Sequence, residues 1–222
     1  MQFLYHENSG NNELSLKDLD LHYVCNVRRF KVGDVIKLSN MKNNILYSYE
    51  INAKSKKEIF LVIQSKTMIN PPPLGPHIIQ SIIDPSEFYK ILPLLNELMI
   101  SKITLFYADF SQRQFRFNTS RIEKILISSC MQCSRLHRME IEFIPNLDKV
   151  IELYPRALAF DFNCEVRNDI FENSESFIIG PEGGFSPRER RLLEGRCFSI
   201  DYNLILKSTT ASVFIASRSL KL

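Results

Sequence analysis

The chain has 222 residues, 45% hydrophobic and 24% charged, a balance that belongs to folded globular proteins and excludes disordered and fibrous ones. Its 28 Lys and Arg against 25 Asp and Glu leave a net charge of +3, so the average charge selects no partner. No stretch approaches the roughly 18 unbroken apolar residues of a membrane span, and no basic segment followed by an apolar run opens the chain. The five cysteines, Cys25, Cys130, Cys133, Cys164 and Cys197, are odd in number and widely spaced. In a chain large enough to be stable without bridges they fit a reducing compartment, and the expected location is cytoplasmic.

In chain order, Leu16, Leu19, Tyr23 and Val27 recur at helical spacing behind Ser15, a plausible N-cap, which predicts a short helix. β-forming residues then cluster at 35–38, 45–51 and 59–63, separated by Gly33-Asp34, Asn43-Asn44 and the charged turn at 54–57. Together these predict a small β-barrel with one helix. Asn70-Pro71-Pro72-Pro73-Leu74-Gly75-Pro76 follows; its prolines remove backbone donors and hold the chain extended. It marks a boundary near residue 70, giving domains 1–70 and 71–222.

Beyond that seam strands and helices alternate. Strands are predicted at 77–83, 103–106, 141–144, 157–160, 177–179 and 198–200. Helices are predicted at 88–98, from Ser120 with Glu123 as its capping-box acid, and at 146–153, 187–194 and 209–219. The fold class is α/β, a mostly parallel sheet covered by helices.

The sharpest motif is Ile179-Gly180-Pro181-Glu182-Gly183-Gly184-Phe185-Ser186-Pro187-Arg188-Glu189. An apolar strand enters a loop holding three of the seven glycines, and Ser186, Pro187 and Glu189 supply an N-cap, a first-turn proline and a capping-box acid. Ligands of parallel α/β sheets bind beyond the carboxyl ends of the strands, where glycines admit them to the main chain. The alternative is a tight turn that needs positive φ angles. The motif is neither GxGxxG nor a P-loop. A second candidate, Tyr202-Asn203-Leu204-Ile205-Leu206-Lys207-Ser208-Thr209-Thr210-Ala211-Ser212, joins the last strand to the last helix, which Ser208, Thr209 and Thr210 could cap.

The third feature is uneven charge. Residues 113–138 hold Arg113, Arg116, Arg121, Lys124, Arg135 and Arg138 against the single acid Glu123, and Arg28, Arg29 and Lys31 flank Phe30. Such clusters suit phosphate contacts with nucleic acid, although a solvated basic face is the plain alternative. Cys130-Met131-Gln132-Cys133 is one CxxC pair with no second pair to complete a site, so no metal is expected.

Taken together these segments resemble the RsmE family of ribosomal RNA small-subunit methyltransferases, in the SPOUT superfamily. The glycine loop from Ile179 to Ser186 with Glu189 matches the family's signature. Residues 204–211 resemble its ILRxETA segment, and His22 to Arg28 with Gly33-Asp34 its HxxxVLR…GD segment. Gln132 and Arg135 resemble its EQSxR stretch, and Asn96-Glu97-Leu98 its ELG.

The resemblance implies a PUA-like RNA-binding barrel before a SPOUT domain with a deep trefoil knot, assembled as a homodimer. It implies methylation of N3 of a uridine in 16S ribosomal RNA, within the small ribosomal subunit. S-adenosylmethionine would be held by Ile179, Gly180, Pro181, Gly183, Gly184, Leu204, Ile205, Leu206, Lys207, Thr209, Thr210 and Ala211. Arg135 would stabilise the imide anion, and Glu182 would serve as base or substrate contact. Arg28, Arg29, Lys31, Arg113, Arg116 and Arg138 would bind RNA. The chain departs from the family at Lys207 and Thr209, at Met131 and Cys133, and at Met99. These departures leave open another RNA target or a non-catalytic RNA-binding relative.

Overall fold

The computed structural model describes residues 3–167 and 169–220. The chain folds as two compact units, Met1–Pro71 with Ile127–Arg138, and Pro72–Leu126 with Met139–Leu222.

The first unit holds β1 (Leu4–Tyr5), β2 (Glu13–Lys17), α1 (Asp18–His22), a π-helical turn at Tyr23–Val27, β3 (Val35–Ser39), β4 (Ile45–Lys54) and β5 (Glu58–Met68). They form one sheet in the order β1-β3-β4-β5-β2, antiparallel except for the β1 and β3 pair. Irregularities between Ser48 and Tyr49 and between Ile51 and Ala53 bend the long β4–β5 ribbon, as bulges do. Leu14, Leu16, Ile36, Leu38, Tyr49, Ile51, Ile59 and Leu61 alternate along their strands into one core. The wholly buried Tyr49 donates its hydroxyl to Asn11 O at 2.7 Å and accepts from Gly10 N at 2.9 Å.

The predicted helix behind Ser15 is half strand. Glu13-Leu14-Ser15-Leu16-Lys17 pairs with β5, and Ser15 donates to Glu58 Oε2 at 2.6 Å instead of capping. Leu14 and Leu16 are buried while Leu19 is 84% exposed; the period-2 alternation therefore outweighs the helical spacing. Residues 127–138 belong to this unit, where Cys130 and Leu136 pack with Phe3 and Met41.

In the second unit, β6 (Gly75–Ser81), β7 (Ile100–Phe106), β8 (Glu140–Ile144), β9 (Leu158–Phe160), β10 (Ser176–Ile179) and β11 (Cys197–Phe198) make a sheet ordered β11-β9-β10-β6-β7-β8. Every pairing in it is parallel. The helices are α2 (Pro85–Glu97), α3 (Thr119–Cys133), α4 (Leu147–Leu153), α5 (Ile170–Asn173), α6 (Pro187–Leu192) and α7 (Ser208–Arg218), α3 running on past Leu126. Ile78 and Phe177 enter one core cluster, and their neighbours Ile79 and Ile178 enter another. Strands buried on both faces read as unbroken apolar runs, as these do.

Three expectations need correction. Helix α3 starts at Thr119, and its cap is Asn118, whose Oδ1 accepts from Arg121 N at 3.0 Å, so Ser120 and Glu123 form no capping box. No side chain caps α7, whose N-cap is Lys207. Cys164 and Cys197 form a disulfide, so the expectation of a bridge-free chain fails; the loop after β9 runs back beside β11, which spacing along the chain does not reveal.

Near the start of the strands, His77 Nε2 lies 2.7 Å from Thr104 Oγ1, and Glu142 accepts from Thr104 at 2.7 Å, Tyr154 at 2.6 Å and Lys102 at 3.0 Å. Burial, with the nearby Lys102 cation, pushes the His77 pKa down to about 4, so the ring is neutral at pH 7.

Candidate functional site

The glycine loop leaves β10 at Ile179. Gly184 N donates to Pro181 O at 2.8 Å, and Gly184 takes φ +71°, a left-handed conformation that favours glycine. A Cβ on Gly180 would lie 3.2 Å from the Phe185 ring. The loop ends in the predicted capping box. Ser186 Oγ accepts from Glu189 N at 3.1 Å, and Glu189 Oε2 accepts from Ser186 N at 2.9 Å. Glu189 is wholly buried, and its other oxygen accepts from Asp109 N at 2.9 Å. Asp109 in turn receives Arg188, which with Ser186 holds its carboxyl below the usual range.

Residues 204–208 face this loop. Ser208 Oγ donates to Gly180 O at 2.5 Å and accepts from the amide of Gln80, on β6, at 2.8 Å. Gln80 is fully buried, and its carbonyl accepts from Ser212 on α7. One buried amide therefore ties the last helix to the mouth of β10.

Between the two segments lies a cavity of about 200 Å³. It gathers Ile179, Gly180, Pro181, Glu182, Gly184, Leu204, Ile205, Leu206, Lys207 and Ala211 from among the residues expected to act there. Gly183, Thr209 and Thr210 are not in its lining. A Cβ on Gly183 would meet Phe110 at 3.5 Å, and Thr210 faces a neighbouring cavity with Phe171 and Phe214.

The sequence reading missed Phe160, Asp161, Phe162, Ser199 and Ile200, which complete the lining together with Phe185, Tyr202 and Ser208 of the two candidate loops. The rule that ligands sit beyond strand ends, applied to β9, would have found the first three. Asp161, 7% exposed, accepts from Arg190 Nε at 2.9 Å. The cavity is largely apolar, with main-chain groups and the exposed Glu182 carboxylate in its wall, a lining that suits a small organic ligand.

Arg135 lies in the first unit, 4% exposed, and burial lowers its pKa. Arg28, Arg29 and Lys31 are exposed in that unit, where Arg138 is partly buried. Arg113 and Arg116 are exposed in the second unit, Arg113 with its guanidinium 4.9 Å from the centre of the Tyr107 ring. Among the described residues no group of three or more His, Cys, Asp and Glu could hold a metal ion, and no helix is long and apolar enough to cross a membrane.

Comparison with known proteins places these features in context. Residues 70–219 match an RNA methyltransferase domain family, and residues 16–64 match an RNA methyltransferase PUA domain. The ribosomal RNA small subunit methyltransferase E of Helicobacter pylori strain J99 is 38% identical, with 98% of each chain covered. That of Aquifex aeolicus is 25% identical over 98% of each. Among solved structures, a methyltransferase from Legionella pneumophila in complex with S-adenosylmethionine has TM-score 0.79 at 24% identity, covering 97% of this chain and 95% of that one. The small subunit methyltransferase E from Neisseria gonorrhoeae, bound to S-adenosylmethionine, has TM-score 0.76 at 21% identity over 98% and 95%. At these identities the likeness is one of fold.

Proposed function

The chain belongs to the ribosomal RNA small subunit methyltransferase E family, and on that premise we propose that it methylates N3 of a uridine in 16S ribosomal RNA, using S-adenosylmethionine. The observation that carries this reading is the cavity beyond β9 and β10, walled by the glycine loop and residues 204–208.

The cofactor supplies a methyl group activated on a positively charged sulfur. The residues present fit it: the main chain around Gly180–Gly184 and 204–207 can meet a heterocycle edge, and the exposed Glu182 carboxylate offsets positive charge, Asp161 being already paired with Arg190. Uridine N3 carries a proton as a neutral imide, so the protein must remove that proton or stabilise the anion. Glu182, exposed at the cavity wall, is assigned the proton or a substrate contact. Arg135 is assigned the anion, with its match to the family's EQSxR stretch as support.

The reading extends to the whole chain. Residues 1–70 act as the PUA-like RNA-binding module and 71–222 as the SPOUT domain, consistent with the two matched families. A trefoil knot in the last segments belongs to this reading, with the family membership as its support. Strand β11 lies at the sheet edge beside β9, whereas α7 packs on β6, β10 and α2. Homodimerisation is supported by the exposed apolar stripe of Tyr202, Leu204 and Ile205. The substrate is ribosomal RNA in the small subunit, and it is this substrate, not the cysteine pattern, that supports a cytoplasmic location.

Calorimetric titration with S-adenosylmethionine is expected to show binding, and mass spectrometry of 16S RNA from cells lacking the protein is expected to show one methylated uridine lost. No heat of binding, or an unchanged RNA, overturns the reading.

A further inference from the structure

The loop after β7 carries an exposed phenyl ring on a pinned backbone. Ser111 N donates to Ala108 O at 3.0 Å and Ala108 N to Ser111 Oγ at 3.1 Å, closing a turn around Asp109 and Phe110. Asp109 is held through its N–H by Glu189 and through its carboxylate by Ser186 at 2.5 Å and Arg188 at 2.9 Å. Arg188 reaches on to Asp148 at 2.9 Å. Between these anchors Phe110 is 56% exposed.

Its position matters as much as its exposure. Glu182 and Gly184 line the cofactor cavity, and Gly183 between them faces Phe110. Along the same loop Arg113 stacks on Tyr107, and Arg116 donates to the carbonyls of Arg113 and Phe115. Single exposed apolar side chains are ordinary on protein surfaces. Phe110 differs in being fixed by flanking hydrogen bonds, set against the cofactor loop, and accompanied by guanidinium groups. Aromatic rings beside arginines are the platforms on which unpaired bases stack, because every base has a π-face.

We propose that Phe110 is a base-stacking residue, on which an unpaired nucleobase of the RNA substrate lies as the target uridine reaches the cavity. The inference rests on the methyltransferase reading above. Phe110 contributes ring surface, Arg113 and Arg116 contribute charge, and the pinned turn removes the entropy cost of ordering the platform on binding.

The test uses the full chain and its Phe110→Leu and Phe110→Trp variants, with a labelled short oligouridylate and with S-adenosylmethionine. Phe110→Leu is expected to weaken oligouridylate binding about tenfold, the scale of one lost stacking contact, while Phe110→Trp retains it. Affinity for S-adenosylmethionine stays at the wild-type value in both. The salt dependence of RNA binding keeps its slope in Phe110→Leu, since no phosphate contact is lost. Wild-type RNA affinity in Phe110→Leu overturns the proposal, as does a parallel loss of cofactor affinity, which would make the ring a strut for Gly183. Either result in a wild-type protein that still methylates ribosomal RNA leaves the methyltransferase reading standing. A wild type that binds neither ligand removes both.

Discussion

Gly184 and Gly183 are neighbours with different duties. Gly184 stands at φ +71°, where a side chain is strained by about 1–2 kcal/mol. Gly184→Ala is expected to lose about that much in urea unfolding, together with affinity for S-adenosylmethionine in calorimetry. Gly183 has no positive φ, and a Cβ there would make only ordinary contact with Phe110, so Gly183→Ala is expected to unfold at the wild-type urea midpoint. His77 gives a pH prediction at the same scale. Its folded pKa of about 4 lies below the ordinary 6.5, so between these values the unfolded chain binds a proton that the folded chain excludes. The stabilisation is complete above pH 6.5 and disappears as pH falls toward 4, a loss of order 3 kcal/mol. Unfolding of wild type and His77→Asn across that interval should show a shallower pH slope in the variant.

At the scale of elements, the cavity depends on two strands and one helix being held together around a buried side chain. Gln80 joins β6 to Ser208 and Ser212 of α7, and Ser208 holds Gly180 at the end of β10. Buried polar networks stabilise when every member is satisfied and cost most when one is removed. Gln80→Met preserves volume but removes the amide. It is expected to lower stability by about 1–3 kcal/mol and to weaken cofactor binding, because Gly180 and α7 lose their common anchor. A variant that loses stability with unchanged cofactor affinity would confine Gln80 to the core. The helix capping shows how local signals divide: the Ser186 and Glu189 box formed as its spacing predicts, whereas Ser208 turned to a partner far along the chain.

Over the whole molecule, a net charge of +3 conceals exposed cations gathered in places. Arg28, Arg29 and Lys31 are exposed around one turn, where Arg29 itself takes φ +60°. If all three meet phosphates, replacing them with Gln should flatten the plot of log affinity against log salt by about 2, at ~0.7 per contact on single strands. Filter binding of 16S RNA over a salt series measures this. An unchanged slope would mean that the cluster is a solvated face.

Much of the fold was legible because local chemistry decided it. The central strands β6 and β10 of the second unit are buried on both faces, so their apolar runs stood out, and the glycine loop announced itself by composition. The first helix starts later than its spacing predicts, at Asp18, because Leu14 and Leu16 serve a strand, a choice made by pairing with β5 and not by spacing. The sequence by itself determined a β-rich segment, a proline seam, a parallel α/β region and two loop motifs, since each follows from periodicity, capping and backbone freedom within a few residues. Only tertiary structure decided that residues 127–138 join the first unit and that Cys164 meets Cys197. It alone also decided that Asp161 and Gln80 serve the cavity and that Gly183 turns to Phe110. These depend on contacts between residues distant in the chain, whose energies no local pattern encodes.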